Sequence, residues 1–185
     1  MSDNVYLGNP NLKRANTQIQ FTEDQVVEFL KCKDDPVYFA LNHIKIVSLD
    51  EGEVPFKLYP FQEKLVRRFH ENRFNICKMP RQTGKSTTCV SYLLHYALFN
   101  ANVNIAILAN KASTARDLLN RLQFAYEKLP KWMQQGILVY NKGSMELENG
   151  SKIIAASTSA SAVRGGSYNI CLLYTSPSPR DATLS

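Results

Sequence analysis

The segment from Cys77 to Thr87 constrains this chain more than any other. It reads Cys-Lys-Met-Pro-Arg-Gln-Thr-Gly-Lys-Ser-Thr, follows a short apolar run over residues 74–77, and precedes a helical pattern. Strand, tight loop and helix in that order are the setting of a P-loop, in which backbone N–H groups and the helix dipole hold phosphate. We therefore predict a nucleotide phosphate site here. An ordinary helix N-terminus is the alternative.

The residue types within this loop suit that chemistry. Gly84 lets the backbone approach a phosphate closely, because it has no Cβ to collide with it. Lys85 can reach the β- and γ-phosphate oxygens, and Ser86 can offer its hydroxyl to Mg²⁺. The loop residues predicted to surround the nucleotide phosphates are Arg81, Gln82, Thr83, Gly84, Lys85, Ser86 and Thr87. The common pattern begins with glycine, whereas this chain has Met79 at that position.

Length and composition indicate one folded unit. The chain has 185 residues, of which 44% are apolar, and its formal net charge is +6. That charge weakly favours a polyanionic partner. No apolar run approaches the roughly 20 residues of a membrane-spanning helix, and no signal sequence opens the chain, so we expect a cytoplasmic protein. Four cysteines without Cys-x-x-Cys spacing predict ordinary thiols, not a metal site or a disulfide framework.

Strand-like and helical segments alternate along the chain, which predicts an α/β fold with a mostly parallel sheet. Apolar spacing and capping residues predict helices from Thr22, from Pro36, over 60–70, after the P-loop, and from 113 or 114 to 129. Short apolar runs predict strands over 103–109, 136–140, 144–147 and 152–155, and a further strand from Tyr168. We expect residues 1–20 to be mobile or only lightly docked.

With these elements placed, the chain resembles the N-terminal ATPase domain of the large terminase subunit of tailed bacteriophages. The resemblance runs from about Asp35 to Ile170. Its distinctive segments are Leu-Tyr-Pro-Phe-Gln over 58–62, Pro-Arg-Gln-Thr-Gly-Lys-Ser over 80–86, Ile-Leu-Ala-Asn-Lys over 107–111, Asn-Lys-Gly-Ser over 141–144 with Asn-Gly-Ser over 149–151, and Val-Arg-Gly over 163–165. In this family the P-loop carries Arg-Gln before its Gly-Lys, so Met79 agrees with the resemblance.

The resemblance implies roles for further residues. Gln62 corresponds to a glutamine that reads the adenine base; a solvated residue at a helix start is the alternative. Arg81 corresponds to an arginine that neutralises γ-phosphate charge, so Arg81 and Lys85 are the implied catalytic residues. Arg164 and Gly165 correspond to a coupling loop near the nucleotide, or else form a simple turn.

The family places an Asp-Glu pair at the end of its next strand, where Asp orders Mg²⁺ and Glu activates water. The expected positions hold Tyr174 and Thr175. From Cys171 onwards the chain resembles the translation of a transposon-derived sequencing adapter; a genuine divergent tail is the alternative. We therefore expect three parts: an N-terminal polar segment with a short helix (1–34), a partial P-loop ATPase domain (35–170), and a non-native tail (171–185). The sheet is then incomplete on its C-terminal side, in a three-layer P-loop NTPase-type fold, and the family's nuclease domain is missing.

The function implied by the resemblance is an ATP-driven motor that moves double-stranded DNA into the viral capsid. ATP and Mg²⁺ are the implied cofactors. Double-stranded DNA, the portal protein, the small terminase subunit and further copies of the chain at the portal are the implied partners, in the host cytoplasm and not in a membrane. Two alternatives remain: a helicase-type ATPase of DNA repair or restriction, and a nucleotide-binding module without catalysis. Lacking the Asp-Glu pair, this chain itself is expected to be inactive.

Overall fold

The computed structural model describes residues 4–48, 51–159 and 165–174. Within these residues, none of the helices is long and apolar enough to cross a membrane. The described helices are α1 (Glu23–Asp34), α2 (Pro36–His43), α3 (Pro60–Glu71), α4 (Lys85–Phe99) and α5 (Ala112–Glu127). The described strands are β1 (Val5–Tyr6), β2 (Asn9–Lys13), β3 (Lys45–Ser48), β4 (Gly52–Pro55), β5 (Asn104–Ala109), β6 (Ile137–Tyr140), β7 (Ser144–Leu147), β8 (Lys152–Ser157) and β9 (Ile170–Tyr174).

The main sheet has the strand order β6-β7-β8-β5-β9. β5 pairs in parallel with β8 on one edge and with β9 on the other, whereas β6, β7 and β8 pair antiparallel. β1 with β2 and β3 with β4 form separate two-stranded ribbons. The predicted α/β class is confirmed, and the sheet is mixed, with its parallel pairings centred on β5.

β5 is the buried centre of the sheet. Ile105, Ala106, Ile107 and Ala109 have no exposed surface, as expected for a parallel strand covered on both faces. α5 packs on β5 and β8, and α4 packs against α5. Because parallel strands end at the same edge of a sheet, β5, β8 and β9 bring their carboxyl ends together beside the start of α4.

The cap predicted at Thr22 is confirmed, whereas the helix predicted from 113 or 114 to 129 begins at Ala112, ends at Glu127 and has no capping side chain. The Thr22 hydroxyl accepts a hydrogen bond from the Gln25 backbone N–H (3.3 Å), and the Gln25 side chain accepts one from the Thr22 backbone N–H (3.1 Å). This reciprocal pair is a capping box. Asp35 caps α2, since its Oδ1 accepts from the backbone N–H groups of Val37 and Tyr38. α1 and α2 therefore follow each other with almost no linker.

The N-terminal segment is docked more firmly than we expected. Leu12 is buried in the core. Lys13 forms an ion pair with Glu148 (3.2 Å), and its backbone N–H donates to the buried side chain of Gln134 (3.0 Å). The same Gln134 amide donates to the backbone of Asn11. Residues 11–13 of this segment are therefore held on the folded unit by burial and hydrogen bonds.

The prediction of a strand before the P-loop is wrong. Residues 74–80 form neither helix nor strand, and the side chains of Phe74 and Ile76 are 82% and 101% exposed. A groove of about 520 Å³ is lined by residues 69–75, by part of α4 and by the edge strand β9. A strand needs a partner at roughly 5 Å for its backbone hydrogen bonds, and this segment has none in the described chain.

A buried histidine joins α4 to α1. His95 is 2% exposed, and its Nε2 lies 2.8 Å from the backbone oxygen of Cys32. A carbonyl oxygen can only accept, so Nε2 carries the proton and Nδ1 is the unprotonated nitrogen. No hydrogen-bond partner meets Nδ1 among the described residues. Burial lowers the pKa of His95 to about 4, with the nearby His70 acting in the same direction.

This histidine should make folding sensitive to mild acid. Its folded pKa lies below the ordinary value, so the unfolded chain binds the proton first and stability falls as pH falls from about 6.5 towards 4. Between about pH 7 and about pH 5 the loss should be about 2 kcal/mol. Urea unfolding at both pH values measures it. The loss should shrink in His95→Gln and persist in His70→Gln, which alters an exposed histidine; equal losses in both variants would contradict the assignment.

Candidate functional site

The P-loop bends sharply before it enters α4. Gln82 and Gly84 both have positive φ angles, +61° and +70°, and Gly84 is the residue that precedes the first turn of α4. A glycine offers no side chain to cap the helix, and the first turn contains no acidic residue. The first backbone N–H groups of α4 therefore have no capping side chain, and they carry the positive end of the helix dipole. This arrangement favours an anion.

The absence of a side chain at Gly84 also leaves room for a neighbouring amide. A Cβ at position 84 would lie 2.4 Å from the Nε2 atom of Gln62. Gln62 is 2% exposed, its Nε2 donates to the Thr83 backbone oxygen (3.1 Å), and its Oε1 accepts from the Tyr59 backbone N–H (2.9 Å). The Gln62 amide thus ties the start of α3 to the turn of the P-loop. Adenine recognition by Gln62 stays a prediction.

Two side chains close the loop onto one backbone oxygen. The Thr83 hydroxyl donates to the Pro80 oxygen (3.0 Å), and the Lys85 ammonium group donates to the same oxygen (3.2 Å). Lys85 therefore curls back over the loop, at the place where the P-loop interpretation puts phosphate. Its partner is a neutral carbonyl, which a charged phosphate oxygen can replace with a stronger hydrogen bond. Arg81 is exposed on the same loop.

The carboxyl end of β9 reaches the start of α4. The Tyr174 hydroxyl lies 2.8 Å from the hydroxyl of Ser86, the residue predicted to bind Mg²⁺. Position 174 is where the family resemblance calls for the acidic pair, and the strand does end beside the predicted metal ligand. A phenol occupies this position in place of a carboxylate. Thr175 lies outside the described residues.

Two further predictions concern residues near the site. Arg164 of the predicted coupling loop lies outside the described residues. Gly165 is described and exposed. Its φ angle is +83°, and a Cβ at this position would meet nothing within 4 Å. This conformation suits the predicted turn. A coupling role for Gly165 stays a prediction.

Sequence reasoning missed the partners that hold the loop in place. The bonds from Gln62 to Thr83 and from Lys85 to Pro80 involve backbone oxygens, which no residue pattern reveals. One signal was available for Gln62. It is the third residue of a helix that begins at Pro60, a position from which glutamine commonly reaches back to the preceding backbone N–H.

Comparisons with known proteins agree with this arrangement. The family profile described as "Terminase large subunit, T4likevirus-type, N-terminal" matches residues 76–174, from just before the P-loop to the end of β9. The crystal structure of the HK97 bacteriophage large terminase is similar to this chain with a TM-score of 0.62 and 19% sequence identity. The likeness covers 76% of this chain and 30% of the HK97 protein.

The structural likeness confirms the predicted fold, because a TM-score of this size reflects a shared arrangement of helices and strands. The family profile covers more than half of the 185 residues and includes the P-loop, α4, β5 and β9. This chain belongs to the family of T4likevirus-type N-terminal domains of the terminase large subunit.

Proposed function

We propose that this chain binds ATP with Mg²⁺ at the P-loop and represents the nucleotide-binding part of a motor that packages double-stranded DNA. In the assembled motor its partners are the portal protein, the small terminase subunit, the DNA and further copies of the same subunit. Membership of the terminase family supports the packaging role. The conformation of the P-loop supports nucleotide binding.

The observation that carries the proposal is the uncapped start of α4 behind a glycine turn. The loop offers backbone N–H groups, the helix dipole and the Lys85 ammonium group on one surface, and all three stabilise phosphate. The Gln62 amide fixes the turn through its hydrogen bond to the Thr83 backbone oxygen. These residues fit the β- and γ-phosphates of a nucleotide, and the positive charge of Arg81 adds to the same surface.

The residues fit Mg²⁺ less completely than they fit phosphate. Ser86 offers a hydroxyl, which is a P-loop ligand of the ion. Its neighbour Tyr174 offers a second hydroxyl where a carboxylate would serve. Mg²⁺ prefers carboxylate and phosphate oxygens, so the nucleotide itself must supply most of the charge that holds it. Bound Mg²⁺ supplies charge neutralisation at the phosphates.

One alternative has an observation in its favour. A nucleotide-binding module without catalysis agrees with the Ser86–Tyr174 contact, because neither hydroxyl can accept a proton from an attacking water as a carboxylate does. For the chain with this sequence, nucleotide binding and hydrolysis are therefore separate properties, and each needs its own measurement.

Lys85→Ala should abolish binding of ATP–Mg²⁺, because the phosphate loses its main cationic partner. Titration with a fluorescent ATP analogue measures the affinity. Lys64→Ala removes an exposed lysine from α3 and serves as the matched control, with unchanged affinity expected. Equal affinity of Lys85→Ala and the unaltered protein would remove the P-loop assignment.

Gln62→Ala should weaken ATP binding more than GTP binding, by about 1–2 kcal/mol, because the implied contact with the adenine base is lost. Both nucleotides should also lose affinity through the loss of the hydrogen bond that fixes the loop at Thr83. The same titration with both nucleotides gives the comparison. Gln62→Glu keeps the acceptor for Tyr59 but not the donor to Thr83, so it should retain α3 and still weaken both nucleotides. An equal loss for both nucleotides would contradict the adenine role and leave Gln62 only the task of holding the loop.

The chain should bind ATP without turning it over at a useful rate. General-base catalysis typically contributes about 10²–10⁴-fold, and the described end of β9 has no carboxylate for it. A phosphate-release assay measures turnover.

Tyr174→Asp should make ATP binding more dependent on Mg²⁺, whereas Tyr174→Phe should not. Rapid hydrolysis by the unaltered chain that Lys85→Ala abolishes would place the base elsewhere.

A further inference from the structure

Three different metal-binding side chains meet between the first two helices, far along the chain from the P-loop. Glu28 and Cys32 lie four residues apart on α1, so they share one face of that helix. His43 is the last residue of α2. α2 begins directly after α1, and the two helices pack against each other, which brings the end of α2 back to that face.

The donor atoms are close enough to share one ion. All three lie within 4.8 Å of one another. His43 Nε2 is 2.8 Å from Glu28 Oε1, and Cys32 Sγ is 3.8 Å from the same oxygen. In a tetrahedral zinc site with ligand distances of about 2.0–2.3 Å, neighbouring donor atoms are about 3.3–3.8 Å apart. Side-chain rotations alone can therefore adapt these three atoms to one metal.

Neighbouring groups hold two of the donors in orientation. The Tyr38 hydroxyl donates to Glu28 Oε2 (3.0 Å), which fixes the carboxylate and leaves Oε1 towards the thiol and the imidazole. Phe39 stacks near the His43 ring, and Trp132 meets it edge-on, each with a centroid distance of 6.2 Å. A hydrogen bond to a ligating carboxylate, such as the one from Tyr38, is characteristic of metal sites, where it orients the ligand.

The burial of the cluster leaves one side open. Cys32 has no exposed surface, whereas the side chains of His43 and Glu28 are 13% and 27% exposed. An ion can thus enter from the solvent side, and water can fill a fourth position. Sulfur, imidazole nitrogen and carboxylate oxygen together form a donor set that suits zinc among the abundant divalent ions, and suits magnesium or calcium poorly.

We propose that Glu28, Cys32 and His43 form a zinc site that joins α1 to α2. The Cys-x-x-Cys rule could not find it, because the ligands come from two helices and include a single thiol. The site is independent of the P-loop, and its role is to stabilise the packing of the two N-terminal helices. A plain Glu28–His43 ion pair beside an inert thiol is the competing interpretation.

Cobalt is the probe that separates these interpretations. Titration of Co²⁺ into the full chain, pretreated with a chelator, should produce the thiolate-to-cobalt charge-transfer band, and added Zn²⁺ should remove it. Cys32→Ser, which is nearly isosteric, should abolish the band. His43→Gln and Glu28→Gln should weaken Co²⁺ binding at least tenfold. Cys89→Ser and His70→Gln are the matched controls and should leave the titration unchanged.

A second set of measurements tests the supporting contact and guards against misfolding. Tyr38→Phe removes only the hydroxyl that orients Glu28 and should weaken Co²⁺ binding about 10–100-fold. Circular dichroism shows whether each variant keeps its helices. Zn²⁺ should raise the unfolding temperature of the unaltered protein but not that of Cys32→Ser. Absence of the charge-transfer band in the unaltered folded protein, or its persistence in Cys32→Ser, overturns the proposal.

Discussion

The parallel pairing of β5 on both of its edges is the constraint on which the site depends. β8 and β9 are separate in sequence from β5, yet both align with the same buried strand in register. That alignment places Tyr174, at the end of β9, against Ser86 in the first turn of α4. The proposed phosphate site and the position of the missing acid are therefore set by one strand whose side chains are buried in the core.

A second constraint acts on the P-loop from α3. The loop is not continued backwards into the sheet, because residues 74–80 form no strand. Its shape instead depends on α4, which follows it, and on the Gln62 amide, which holds the turn at Thr83. The P-loop is held by α4, which follows it, and by the Gln62 amide beside it. It can therefore keep its shape although residues 74–80 before it form no strand.

Local features of the site and fold were predictable, and long-range pairings were not. The P-loop turn, the capping box at Thr22 and the strands predicted over 136–140, 144–147 and 152–155 follow from residues close in sequence. The prediction of a strand over 74–77 was wrong because a strand also requires a hydrogen-bonded neighbour. The sequence shows the apolar run but does not show that this segment has no strand partner. The docking of Lys13 on Glu148 and the meeting of Glu28, Cys32 and His43 likewise depend on contacts between separate elements.

The close approach of Gln62 to Gly84 has an evolutionary consequence. Glycine at position 84 is usually explained by the phosphate alone, but here the space above its Cα is filled by the Gln62 amide, 2.4 Å from where a Cβ would stand. The two positions are therefore not free to vary independently. A shorter side chain at position 62 would remove the contact that a Cβ at position 84 would meet. The positive φ angle at position 84 would still favour glycine. A shorter side chain at position 62 is therefore not sufficient by itself to make other residues acceptable at position 84.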